Sequence, residues 1–129
     1  MLAFSVVSCS EKNGESIEVL GLNYTDAGIA GFSVDGYAGH GIFPKGGGGK
    51  FICCINLPRR WRADMKVTVR RIQYGRVPGL LNERVVPVPR YAEHGIGIFA
   101  VHFYPGGTVN VLVTTKIVGH PECPYPLLK

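Results

Sequence analysis

The sequence is poor in the parts that catalysis needs. Serine is sparse, and none stands in a G-x-S-x-G turn, which removes the usual exposed-serine hydrolase nucleophile. There are only nine Asp and Glu residues, and no two of them pair on one face of an expected strand. Glu83, Glu93 and Asp64 read as isolated, solvated charges. The four histidines, His40, His94, His102 and His120, are scattered, and no cysteine pair has the two-to-four spacing of a zinc site. No window sustains an apolar repeat at helical spacing, and no apolar run is long enough to cross a bilayer. These absences argue against a recognisable catalytic centre, a metal, a cofactor and a helical fold. They leave a binding protein as the first expectation, and a hydrolase with an unrecognised site around His40 or His102 as the last.

What is abundant is turn chemistry. The 129 residues include 18 Gly and 9 Pro, spread along the whole chain between short apolar runs. That pattern predicts an all-β protein, and the length suits one domain with one core. Strands are expected at Ile17–Asn23, Ile29–Asp35, Phe51–Leu57, Lys66–Ile72, Asn82–Val88, Gly95–Tyr104 and Val109–Val113. Alternation puts Ile17 and Val19, Ala30, Phe32 and Val34, Val67 and Val69, Phe99, Val101 and Phe103, and Val109, Val111 and Val113 inward. Pro87 marks an edge strand, because it cannot donate to a ladder. Pro105-Gly106-Gly107 is a tight hairpin. About seven short strands with glycine-rich loops predict a β-sandwich, with an open β-barrel as the alternative. The tail from Gly119 is Pro-rich and irregular.

The stretch from Phe43 to Trp61 holds most of the remaining signals. Gly46 to Gly49 followed by Lys50 resembles a phosphate-binding loop only superficially. Pro44 occupies the place of the first glycine, Phe51 replaces the Ser or Thr, and the run precedes a strand where the motif precedes a helix. The glycines are therefore expected to shape a loop, Gly36 to Gly49, that presents Tyr37, His40, Phe43 and Lys45. On the following strand, Cys53 is expected to face the core with Phe51, Ile55 and Leu57, and Cys54 to face away. Neighbouring strand residues point apart, which disfavours a Cys53–Cys54 bond. A disulfide from Cys54 to Cys123 would instead tie the tail to the sheet, with a free Cys54 as the alternative.

The formal charge of +5 favours an anionic partner. Its sharpest concentration is Arg59, Arg60, Trp61 and Arg62, three arginines around the only tryptophan. Arg and Trp anchor protein interfaces, and guanidinium groups clasp carboxylates or phosphates. The plainer reading has Trp61 capping the core with solvated arginines around it. A nucleic-acid surface would need more interleaved aromatics, so no nucleic-acid partner is expected.

At the start, Leu2 to Val7 is apolar and Val6-Val7-Ser8-Cys9 resembles a bacterial lipobox. Residues 1–9 then read as the remnant of a lipoprotein signal, with Cys9 the lipidated residue, and residues 10–129 as one β-rich domain; the alternative is an ordinary first strand with a buried Cys9. Acyl chains on Cys9 would anchor the protein to a membrane without spanning it.

Four motifs occur in order: Asn23-Tyr24-Thr25-Asp26, Phe32-Ser33-Val34-Asp35-Gly36, the Gly46 to Gly49 run with Cys53-Cys54, and Val101-His102-Phe103-Tyr104-Pro105-Gly106-Gly107. The set, over roughly residues 20 to 115, resembles a family of small bacterial lipoproteins catalogued as a domain of unknown function. It departs at the hairpin, where Gly106 stands in place of an Asp. Members of this kind are associated with type VI secretion lipase effectors and look like their immunity proteins (the Tli group). The resemblance implies a non-enzymatic lipoprotein of the periplasm, anchored to the outer membrane, that binds and neutralises a secreted phospholipase. The alternative is a cell-envelope module for an anionic small molecule or glycan.

Overall fold

A computed structural model describes residues 14–39, 41–73, 80–115 and 121. Among the described residues eight strands run in chain order: β1 (Gly14–Asn23), β2 (Ile29–Val34), β3 (Tyr37–Gly39), β4 (Gly47–Pro58), β5 (Lys66–Gln73), β6 (Leu80–Pro87), β7 (Ile98–Phe103) and β8 (Val109–Thr114). They form two four-stranded sheets, ordered β4-β1-β7-β8 and β3-β2-β5-β6. The fold is all-β and consistent with the expected sandwich; two separate sheets set aside the open barrel. All pairings are antiparallel except β1 with β7, which runs Glu18 against Ile98 through Asn23 against Phe103.

The sandwich closes on the alternating residues. Ile17, Val19, Ile55, Leu57, Phe99, Val101, Phe103, Val109, Val111 and Val113 of the first sheet meet Ile29, Phe32, Val34, Val67, Val69 and Val86 of the second in one core. Burying each large aliphatic or aromatic side chain contributes about 1.5–3 kcal/mol before chain entropy is charged against it. The edge position expected for the Pro87 strand is observed, since β6 ends the second sheet.

Two expectations about facing residues are corrected. Ala30 is exposed and Ile29 is fully buried, because β2 bulges between Ile29 and Gly31 and the alternation restarts there. Cys53 is exposed and Cys54 half-buried, where Cys53 was expected inside. Ile17 pairs with Ile55 but Val19 with Ile52, so β4 carries an extra residue at the two cysteines and its inward face shifts. The same irregularity joins Cys53 to Cys54 in a disulfide, with a cis peptide between them, so Cys54 is not left for Cys123. Cys9, His40 and Cys123 lie outside the described residues.

The glycine run also proves more ordered than a loop, since β4 begins within it. Gly47 is the position that requires glycine. Its φ is +121°, and an added Cβ would overlap Gly21 O and lie 2.9 Å from Leu22 Cα. Those are backbone atoms of the central strand and cannot swing aside. Gly47→Ala is therefore expected to lose about 2 kcal/mol in urea unfolding, from strain at positive φ and overpacking. Gly36→Ala at the exposed β2–β3 turn, where the same φ problem exists but an added Cβ meets nothing, should lose less.

Candidate functional site

The β4–β5 connection is the most built of the candidate surfaces. It leaves β4 at Pro58 and enters β5 at Lys66. Its polypeptide is fixed at several points. The Tyr91 hydroxyl donates to Pro58 O, and the Trp61 indole Nε1 donates to Val88 O at 2.7 Å. Val88 N in turn donates to Met65 O, and Met65 N to Arg62 O. Burial raises the Tyr91 phenol, with Arg62 a smaller opposing influence, so the hydroxyl stays a donor across the neutral range.

Trp61 is half-buried and packs against the main core. Its ring and its N–H both hold the loop on the protein's own body, which agrees with the plainer reading that Trp61 caps the core. Arg90 lies over the indole at 5.5 Å from the ring centroid. The arginines around it are solvent-facing, and each has a local acidic neighbour: Arg59 with Glu15 at 3.5 Å, Arg60 with Glu93 at 3.8 Å, and Arg62 with Asp64 at 3.5 Å. Exposed pairs of this kind contribute between about 0 and 1 kcal/mol each, so a partner's carboxylates can replace them at little cost. Pro58, Arg59, Arg60, Trp61, Arg62 and Glu93 line an open groove of ≈690 Å³. Arg90, which stands outside the Arg59 to Arg62 run, belongs to the same basic surface.

The second candidate surface is built by Asn23. This side chain is completely buried, and its Nδ2 donates to Ala27 O at 2.8 Å and Phe43 O at 3.2 Å. Its Oδ1 accepts from the Thr25 N–H and hydroxyl, at 2.9 and 2.7 Å. Backbone bonds from Asn23 N to Gly46 O and from Lys45 N to Thr25 O complete the clasp. The Asn23 to Asp26 motif is thus a polar knot that holds the 43–46 turn against β1. The knot displays Phe43, which is 86% exposed, while Lys45 takes a positive φ and pairs loosely with Asp26.

These surfaces are not one site. Gly14 of β1 pairs with Pro58, and Leu22 pairs with Gly47, so the arginine loop and the Phe43 turn sit at opposite ends of the β1–β4 ladder. Ten residues of strand separate them by roughly 30 Å. Tyr37, half-exposed on β3, pairs with Val34 beside the Asp35–Thr68 contact, toward the end where β5 begins. Phe43 and Arg59 stand only 16 residues apart in the chain, and the extended β4 between them holds them apart in space.

His102 faces outward from β7 as expected, yet it is 1% exposed. The outer face of the first sheet carries a second buried cluster of Leu20, Leu22, Tyr24 and Ala100, flanked by Ile98 and Tyr104. Tyr24, His102 and Tyr104 stack there, with the two tyrosine rings 4.7 Å apart. Burial pulls the His102 pKa down to about 4, only partly offset by its hydrogen bond to the Asn110 backbone. A neutral, enclosed imidazole in a stack is a structural group. Among the described residues no group of three or more His, Cys, Asp or Glu could hold a metal ion, and no helix is long and apolar enough to cross a membrane.

Comparison with protein families finds a match: a model described as a protein of unknown function (DUF3304) matches residues 22–111. The chain belongs to the DUF3304 family. The matched DUF3304 region runs from the end of β1 into β8 and contains the Asn23 knot, the Phe43 turn and the arginine loop. No curated protein and no solved structure matches the chain.

Proposed function

We propose that this chain is a binding protein, a lipid-anchored periplasmic immunity protein that captures a type VI secreted phospholipase through its arginine loop. The observation that carries the reading is the construction of that loop. Trp61, Tyr91 and Met65 fix its backbone, so little ordering entropy remains to be lost when a partner docks. Arg59, Arg60 and Arg62 project from it with only weak, exposed partners, ready to exchange them for acidic groups on another protein. The lipase as partner and the outer-membrane location rest on the family resemblance, and the anchor at Cys9 rests on the lipobox-like run Val6-Val7-Ser8-Cys9.

The experiment is a titration of the purified protein against the secreted lipase encoded beside its gene, following both binding and lipase activity. Stoichiometric binding with loss of activity is expected. Replacing Arg59, Arg60 and Arg62 together by alanine should change unfolding stability by less than about 1 kcal/mol, because the lost pairs are exposed, yet weaken binding at least tenfold. An unchanged affinity would remove the loop from the interface. No binding by the folded protein, with retention on anionic envelope polymers, would move the reading to a glycan-binding module.

A further inference from the structure

The far end of the sandwich holds a cation with no acidic partner among the described residues. Arg71 is 4% exposed, on the inward face of β5 two residues from Val69. Phe32 of β2 and Asn82 of β6 lie directly opposite it in the sheet. Its guanidinium sits over the Phe103 ring of the facing sheet, 5.4 Å from the centroid. Among the described residues neither its Nε nor its Nη1 has a hydrogen-bond partner, and the buried Asn82 Oδ1 has none either. The five ion pairs among the described residues leave Arg71 out.

A second guanidinium converges on the same place. Arg84 pairs with Val69 across the β5–β6 ladder and so shares the inward face, but at the open edge of the sandwich, where it is exposed. Both side chains reach the β7–β8 hairpin. A Cβ added at Gly107 would lie 2.8 Å from Arg84 Nη2 and 3.8 Å from Arg71 Nη2, so the bare glycine, at φ +84°, leaves the room Arg84 occupies and stands within contact of Arg71. Arg84 donates from Nη1 to Glu83 O, and the Glu83 carboxylate itself is engaged by Arg70 on the other face. Burial and the neighbouring Arg84 charge both disfavour the cationic form of Arg71. A cavity of ≈330 Å³ between β6 and β8 opens beside Arg84, lined also by Val86, Thr108 and Asn110.

We propose that Arg71 and Arg84 form an oxyanion site at this edge, which takes a carboxylate or phosphate group of a small ligand. A buried guanidinium with unsatisfied donors is costly, and an anion bridging two arginines satisfies those donors and separates two like charges at once. The site is distinct from the arginine loop. Arg71 lies on β5 beyond Val69, toward Gln73, whereas the loop enters β5 at Lys66.

The test is thermal unfolding and calorimetric titration of the full chain with sodium phosphate and with sodium acetate, against sodium chloride at equal ionic strength. At least one oxyanion should raise Tm saturably above the chloride control. Arg84→Gln should weaken that binding at least tenfold with the fold intact, because Arg84 is exposed. Arg71→Met should abolish it, with circular dichroism unchanged; were that variant unfolded, Arg84→Gln alone decides. The variant lacking Arg59, Arg60 and Arg62 should keep the full response. A response to phosphate alone marks a phosphate-bearing ligand, and one to acetate alone a carboxylate. The site is refuted by a Tm that follows ionic strength only, by an Arg84→Gln response equal to wild type, or by loss of the response in the loop variant.

Discussion

Asn23→Ala is expected to lose about 3–4 kcal/mol of unfolding free energy, more than deletion of any one exposed charge. Four side-chain hydrogen bonds disappear, and the groups they served stay buried or half-buried. A made bond contributes about 1 kcal/mol net, but a buried donor or acceptor left without its partner costs about 1–3 kcal/mol. The Thr25 hydroxyl keeps its bond to Ala27 O, which limits the loss. Asn23→Asp should be at least as damaging at neutral pH. The carboxylate can still accept from Thr25 but cannot donate to Ala27 O or Phe43 O, and it brings a charge into a fully buried position. Urea denaturation of the two variants at pH 7 checks the first expectation. Repeating the Asp variant at pH 5 checks the second, since protonation restores one donor. The Phe43 turn should loosen in both, read as faster amide exchange at Lys45 and Gly46, whose N–H groups bond Thr25 O and Phe43 O. Wild-type exchange at those two amides would mean that the knot does not hold the turn.

The second large effect is a loss of stability in mild acid that traces to His102. Its folded pKa is about 4, against about 6.5 for an unperturbed histidine. Between those values the unfolded chain binds a proton that the native protein refuses, so stability rises with pH across that window. The contribution is complete above about pH 6.5 and is lost progressively as pH falls toward 4, to a total of about 3 kcal/mol. His102→Phe retains an aromatic ring in the stack with Tyr24 and Tyr104 and cannot titrate. Its unfolding free energy should therefore lack most of the decline from pH 7 to pH 4. A variant as acid-sensitive as the wild type would place the titrating group elsewhere. NMR titration of the His102 ring gives the direct reading, and a midpoint near 6.5 would contradict the enclosure described for it.

Much of the fold was legible where its strands obey period two without interruption. Phe99, Val101 and Phe103 on β7, Val109, Val111 and Val113 on β8, and Val67 and Val69 on β5 all face the core as alternation requires. The turn residues at Pro105-Gly106-Gly107 placed the β7–β8 hairpin correctly. Failures cluster where one residue is inserted into a ladder. The bulges at Ile29–Gly31 and at Cys53–Cys54 leave no mark in composition, yet each reverses which side chains face inward. β3 is three residues long, among glycines, and carries too few side chains for a pattern. Arg71 occupies an inward position that a polarity pattern assigns to solvent, and it becomes visible only when Phe103 and Arg84 are seen beside it. The candidate surfaces were legible as residue types and not as a map. Arg59, Arg60, Arg62 and Phe43 are exposed, but which end of the sandwich each occupies depends on β4 being extended.

The parallel pairing of β1 with β7 also sets the order in which the molecule can assemble. Much of the second sheet joins neighbours along the chain, β2 with β3 and β5 with β6. The central strand of the first sheet, by contrast, must wait for residues beyond Ile98 before its inner edge is covered. Such distant closure is entropically expensive and slow. A growing chain therefore carries β1 with one edge unpaired until β7 has been made, and the interval before β7 arrives is the one in which two copies are most exposed to joining each other in its place.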